Sequence, residues 1–187
     1  MSALLVILAI ALGIGIYLVV VYNGLVSMRQ RIKQSFADID VQLRQRHDLI
    51  PNLIETVKGY ATHEKSTLDA VIQARNQALS ATNVADTQAA EKNLSSALGK
   101  LFALAEAYPD LKANTNFLQL QSELSDIENK IAAARRFFNG SVSEFNAAIE
   151  AFPAVLFARN FGFTHQEFFD LGTETRQTMD QAPSVKF

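Results

Sequence analysis

No residue among the first 28 carries a side-chain charge. Within that stretch the run ALLVILAIALGIGIYLVVVY, residues 3–22, is apolar almost throughout. As a helix it is about 30 Å long, the thickness of a bilayer's hydrocarbon core. A buried core helix rarely needs such length. A cleaved signal peptide needs a basic leading region and a small-residue cleavage site. No Lys or Arg precedes the run, and Val20-Val21-Tyr22 is a poor cleavage site. The run is therefore expected to be an uncleaved anchor, residues 1–23, crossing a membrane once. Tyr17 and Tyr22 suit the exit interface.

Charge sets the expected orientation. Arg29, Arg31 and Lys33 follow the run, and nothing basic precedes it. The positive-inside rule then places the bulk of the chain in the cytoplasm. The same three cations are candidate contacts for anionic lipid headgroups.

Beyond the anchor the apolar spacing is helical. Ile32, Phe36, Ile39, Leu43, Ile50, Leu53 and Val57 step by three and four, with Arg46 where the seam calls for an apolar residue. This predicts a first helix over residues 25–60, kinked or briefly broken at Pro51, which lacks a backbone donor. A second helix is expected over 62–81, a polar turn over 82–87, and a third helix over 88–107 with Leu94, Leu98, Leu101 and Ala105 on one face. Tyr108-Pro109-Asp110 breaks it. The fourth helix, 116–152, carries a heptad seam from Phe117 through Leu124, Ile131, Phe138 and Phe145 to Phe152, continuing through Asn139-Gly140 and ending at Pro153. No useful strand-like alternation occurs. The expected fold is all-α: an N-terminal transmembrane helix, an up-down-up-down four-helix bundle over 24–153 with long first and fourth helices, and a Phe-rich tail over 154–187.

Two stretches carry a family resemblance. IDVQLRQRHDLIPNLIETVKGYATHE (39–64) and EAYPDLKANTNFLQLQSELSDIENKIAAARRFFN (106–139) resemble the LemA family, as do YNGLVSMRQRI after the apolar run and the FPA, GF and EFF elements near the end. The resemblance covers nearly the whole chain. It implies a bacterial, membrane-anchored helical bundle of the plasma membrane, and it does not by itself imply an enzymatic activity. Some relatives are linked to internal-membrane formation, others to a membrane metalloprotease of the HtpX type.

The residues offer little chemistry. The absence of cysteine excludes disulfides, thiolate metal sites and a cysteine nucleophile. His63-Glu64 opens like a zinc-protease motif, but the second His is missing and Thr67 stands in its place. A di-iron bundle needs Glu-x-x-His pairs, and Arg44, Tyr60 and Gly162 precede the three histidines at that spacing. No Gly-rich phosphate loop or nucleophile elbow occurs. A net charge of −2 gives no general attraction to nucleic acid. Neither a cofactor nor a catalytic set is expected. Arg46 is expected to fix register through a buried ion pair, with Glu123 or Glu128 across the bundle or Asp48 or Glu55 nearby as partner.

The expected role is a non-enzymatic scaffold or adaptor, binding the lipid bilayer, other membrane proteins or a second copy of itself. The alternative is an accessory subunit of a membrane enzyme such as a metalloprotease. Helices one and four are each about 54 Å long and the middle pair only about 30 Å. Residues 58–64 and 108–114 should therefore meet at the end of the bundle away from the bilayer. There Tyr60, His63, Tyr108, Asp110 and Lys112 form a candidate partner-binding tip. Near the membrane, the seam of Ile32, Phe36, Phe138, Val142 and Phe145 is left half-covered by two helices alone. Seven of the 13 phenylalanines lie from Phe152 onward. Phe157, Phe161 and Phe163 are accordingly candidates to pack on that seam, on a neighbouring copy, or on lipid.

Overall fold

A computed structural model describes residues 2–61 and 63–169. Among these residues the secondary structure is helical, with no strand. The helices are α1 (Ser2–Lys58), α2 (Lys65–Ser80), α3 (Val84–Ala105), the single turn α4 (Pro109–Lys112) and α5 (Thr115–Glu150). Two 3-10 turns follow, Ala154–Leu156 and Arg159–Phe161. The far part of the expected tail, residues 170–187, lies outside the described residues, as does Thr62, where the second helix was expected to start.

The apolar run and the first bundle helix are one helix. Pro51 sits inside α1 and does not interrupt it. A proline at that position leaves the carbonyl four residues earlier, on His47, without its helical donor. The Arg75 guanidinium of α2 supplies one, with Nε donating to the His47 carbonyl at 2.8 Å. The expected break is therefore absent, and a side chain from the neighbouring helix explains how the freed carbonyl is satisfied. Gly59 and Tyr60 form the turn that ends α1.

The third helix starts four residues earlier than its apolar pattern suggested. Asn83 caps it, its side-chain oxygen accepting from the Asp86 amide at 2.9 Å. Asn114 does the same for α5, accepting from the Phe117 amide at 3.0 Å. Asn139 and Gly140 lie inside α5 without breaking it.

The chain divides into two compact units. One contains Gln42–Asn129. There the last part of α1, α2, α3 and the first part of α5 surround a single core, a four-helix bundle. Ile50, Leu53, Val57, Val71, Leu94, Leu101, Leu111 and Phe117 form its centre. Ala74, Ala78, Ala90 and Ala97 are buried on α2 and α3. Small side chains at such positions let two helix backbones approach closely.

The other unit contains the residues up to Val41 together with Lys130–Phe168. Here the seam is better covered than a bare helix pair suggested. Ile32, Phe138, Val142 and Phe145 are all buried, and Phe36 is half-buried with its ring 5.9 Å from that of Phe138. Ser35 and Ser141 are buried as well, each turning its hydroxyl back to a carbonyl of its own helix, Ile32 and Phe137. Two short side chains that satisfy themselves let the helices close without stranding a polar atom. Phe152, expected as the last seam residue, is instead 78% exposed. α5 ends at Glu150, so the heptad geometry no longer holds at Phe152.

Candidate functional site

Arg46 is the centre of a buried ionic cluster. It is only 3% exposed, and so is Glu91 of α3; His47 beside it is 4% exposed. The Glu91 carboxylate takes the Arg46 Nη2 group on one oxygen and the His47 Nε2 atom, at 2.7 Å, on the other. Arg46 Nη1 also donates to Glu128 at 2.8 Å and to Ser95 Oγ at 3.3 Å. Of the four carboxylates expected as partners, Glu128 is in place.

Glu91 was missed, although the sequence carries its signal. Buried Leu94, Leu98, Leu101 and Ala105 define the inner face of α3. Stepping back three residues from Leu94 reaches Glu91, and four more reach buried Thr87. An acidic residue on the seam of α3 and a basic one on the seam of α1 are the two halves of one buried pair.

The cluster ties α1, α3 and α5 together through side chains that are, Glu128 excepted, almost wholly buried. Its Glu91 carboxylate is engaged by both the Arg46 guanidinium and the His47 ring. Beside it lies an open cleft of about 360 Å³ lined by Leu98, Phe102, Gln121, Leu124 and Ser125, with Arg46, Ser95 and Glu128 of the cluster also in its lining. Among the described residues, no group of three or more His, Asp or Glu stands where it could hold a metal ion.

The segments around Tyr60 and Tyr108 do come together. Asn114 Nδ2 donates to the Tyr60 hydroxyl at 2.9 Å, and the Tyr108 hydroxyl donates to Glu64 at 3.4 Å. Desolvation, reinforced by the Glu64 carboxylate and its hydrogen bond, raises the Tyr108 phenol above its ordinary range. Tyr108 therefore remains a hydrogen-bond donor at neutral pH. Lys112 pairs with Glu106, both largely exposed. His63 and Asp110 are exposed on the same two segments. Five residues chosen from sequence thus lie on two adjoining segments, two of them tied by their hydroxyls across the gap.

The remaining candidates lie in the unit that includes the apolar run. Phe163 is 2% exposed, its ring edge-on to Tyr22 at 5.5 Å and to Phe145 at 6.3 Å. The Arg29 guanidinium lies 5.0 Å from the centre of the Phe163 ring. Gly162, at φ +75°, makes the left-handed turn that directs this ring inward, and the Phe163 amide closes it by donating to the Ala158 carbonyl at 2.9 Å. Asn146 of α5 holds the following strip by exchanging two 2.9 Å hydrogen bonds with the Gln166 backbone. Phe157 is half-buried against Phe161, which is itself 59% exposed. Arg31 pairs with Glu144 at 3.3 Å, and Lys33 is exposed.

A long α1 that begins as an apolar run and ends in a four-helix bundle locked by a buried ion cluster defines a helical bundle with one candidate membrane span. The sequence profile of the LemA family matches residues 35–187. The chain belongs to the LemA family. Protein LemA of Metamycoplasma hominis is 31% identical over 70% of this chain and 60% of its own length. Magnetosome protein MamQ of Magnetospirillum gryphiswaldense is 24% identical over 79% of this chain and 64% of its own length. Magnetosome protein MamQ 2 of Paramagnetospirillum magneticum is 23% identical over the same shares. The chain thus spans somewhat less than two thirds of the length of these relatives. The apolar run precedes the matched region, and it is long and apolar enough to cross a membrane.

Proposed function

We propose that this protein is a membrane-anchored scaffold or adaptor without catalytic activity, working through contacts with other membrane proteins, with itself and with the bilayer surface. One observation carries the reading. α1 runs unbroken from the apolar span into the bundle, and the most apolar window of that span has none of its residues buried by the protein. A helix that exposes such surface needs lipid around it. The same helix also supplies residues of the bundle core, among them Ile50, Leu53 and Val57.

The basic cluster of Arg29, Arg31 and Lys33 supports a cytoplasmic bundle in the plasma membrane of a bacterium. Ser96 is exposed on α3, and the chain has no cysteine of its own. A cysteine placed there is expected to stay unlabelled by a membrane-impermeant thiol reagent in intact cells and to label after lysis. Ready labelling in intact cells would reverse the orientation.

The paired segments at Tyr60 and Tyr108 are the proposed contact for a protein partner. Asp110→Ala with Lys112→Ala removes two exposed charges and one exposed ion pair, so stability should stay within about 1 kcal/mol of the parent. Recovery of a partner from detergent-solubilised membranes should fall severalfold. Recovery unchanged by the double substitution would make this end a helix-helix turn and nothing more. Recovery of a membrane protease as the lost partner would give the scaffold the role of an accessory subunit.

A further inference from the structure

Residues 151–163 carry one charge, on Arg159, and an unusual amount of uncovered apolar surface. Phe152 is 78% exposed, Leu156 69%, Phe161 59% and Val155 52%. Four large apolar side chains within ten residues form the kind of surface that marks a contact site. Their neighbours on α1 identify what they contact. Tyr22 packs edge-on against Phe161 at 5.4 Å. Leu18, Val19 and Tyr22 join Phe157 and Phe161 around a cavity of about 340 Å³ that has almost no polar surface. Leu18 and Val19 belong to the uncharged run itself, so at whatever depth that run lies, Phe157 and Phe161 lie beside its last turns.

Polarity changes sharply within the same unit. Arg29, against Phe163, lies two helical turns or about 10 Å along α1 from Tyr22. Glu150 and His165 pair at 3.1 Å next to Val155 and Arg159, at the edge of a second, more polar cavity. Arg159, exposed between Phe157 and Phe161, limits the depth: its long stem can lie along apolar surface only while the guanidinium reaches the headgroup layer.

We propose that residues 152–161 form a shallow wedge immersed in the leaflet where the anchor exits, and that the cavity between Leu18, Tyr22, Phe157 and Phe161 takes a phospholipid acyl chain. Arg29 and Arg159 then face the lipid phosphates. The proposal rests on the reading of residues 3–22 as a membrane span, and it adds a second, non-spanning contact with the same bilayer.

The chain contains no tryptophan, so single-tryptophan variants report without background. Phe152→Trp and Leu156→Trp place the probe on exposed positions of the wedge, where packing is not disturbed. Leu12→Trp, 67% exposed in the middle of the apolar run, reports on the anchor, and Leu79→Trp, 51% exposed on α2, gives an aqueous baseline. Each full-length variant is reconstituted in phosphatidylcholine–phosphatidylglycerol vesicles containing lipid brominated at a shallow or a deep acyl carbon. Both wedge probes should be quenched, more by shallow than by deep bromine, with Leu12→Trp showing the reverse order and Leu79→Trp little quenching. Quenching of Leu12→Trp with none at either wedge position would remove the wedge and leave the anchor standing. Blue-shifted but unquenched wedge probes would mean that a second copy covers the patch, which also overturns the proposal. Failure of Leu12→Trp itself to be quenched would overturn the anchor and the wedge together.

Discussion

Glu91→Ala should destabilise the bundle by about 3–5 kcal/mol, a large share of the stability of an ordinary domain. The loss is not the value of one ion pair. Glu91 neutralises Arg46 and accepts from His47, and all three side chains are almost wholly out of water. Removing the carboxylate takes away the buried anion that faces the Arg46 guanidinium, although Glu128 and Ser95 still bond it, and leaves a buried imidazole without this acceptor. Glu128→Ala provides the contrast. That side chain is 49% exposed, so its share of the pairing is screened by solvent and its loss should cost only about 1 kcal/mol. Denaturation of the full chain in detergent, followed by helical circular dichroism, separates the two. Equal and small effects would show that the cluster does not hold the bundle. Arg46→Met combined with Glu91→Leu should recover the part of the loss that comes from the guanidinium left without its buried anion, because well-packed apolar side chains of similar volume replace a buried pair at little cost, while the part due to His47 remains.

Periodicity made most of this fold legible. The seam from Phe117 to Phe145 predicted α5 through Asn139-Gly140, because a sustained heptad outweighs a local turn signal. The same rule failed at its end. Phe152 keeps the spacing but lies beyond Glu150, and spacing means nothing once the helical backbone stops. Pro51 shows the opposite limit. The sequence states that a donor is missing, and only the fold shows that Arg75, on another helix, provides a replacement. Boundaries set by caps were legible in principle, since Asn83 and Asn114 are good N-cap residues standing where helices begin. A pattern read from apolar residues alone passed over Asn83 and delayed α3.

The candidate sites follow the same division. Arg46 stood out as a polar residue on an apolar seam, but its main partner required a second seam to be followed one step further, to Glu91. The pairing of residues around Tyr60 and Tyr108 followed from helix lengths and connection order. The inward turn of Phe163 did not, since it depends on the left-handed conformation of Gly162 and on the room between Tyr22, Arg29 and Phe145.

The anchor is the claim on which the rest depends, and membrane extraction tests it directly. Ile10 and Ile14 lie at the middle of the apolar run, 58% and 56% exposed. An aspartate near the centre of a spanning helix opposes insertion by about 2.5–3.5 kcal/mol, so Ile10→Asp with Ile14→Asp should remove most of the drive to span. Neither residue touches the bundle core, so helical content should persist. Membranes carrying the full-length protein are washed at high pH and separated by sedimentation. The parent chain is expected to remain in the pellet and the double variant to move to the supernatant as a folded protein. Release of the parent chain by the wash would show that the apolar run does not span a bilayer, and would contradict the account of a membrane-anchored bundle.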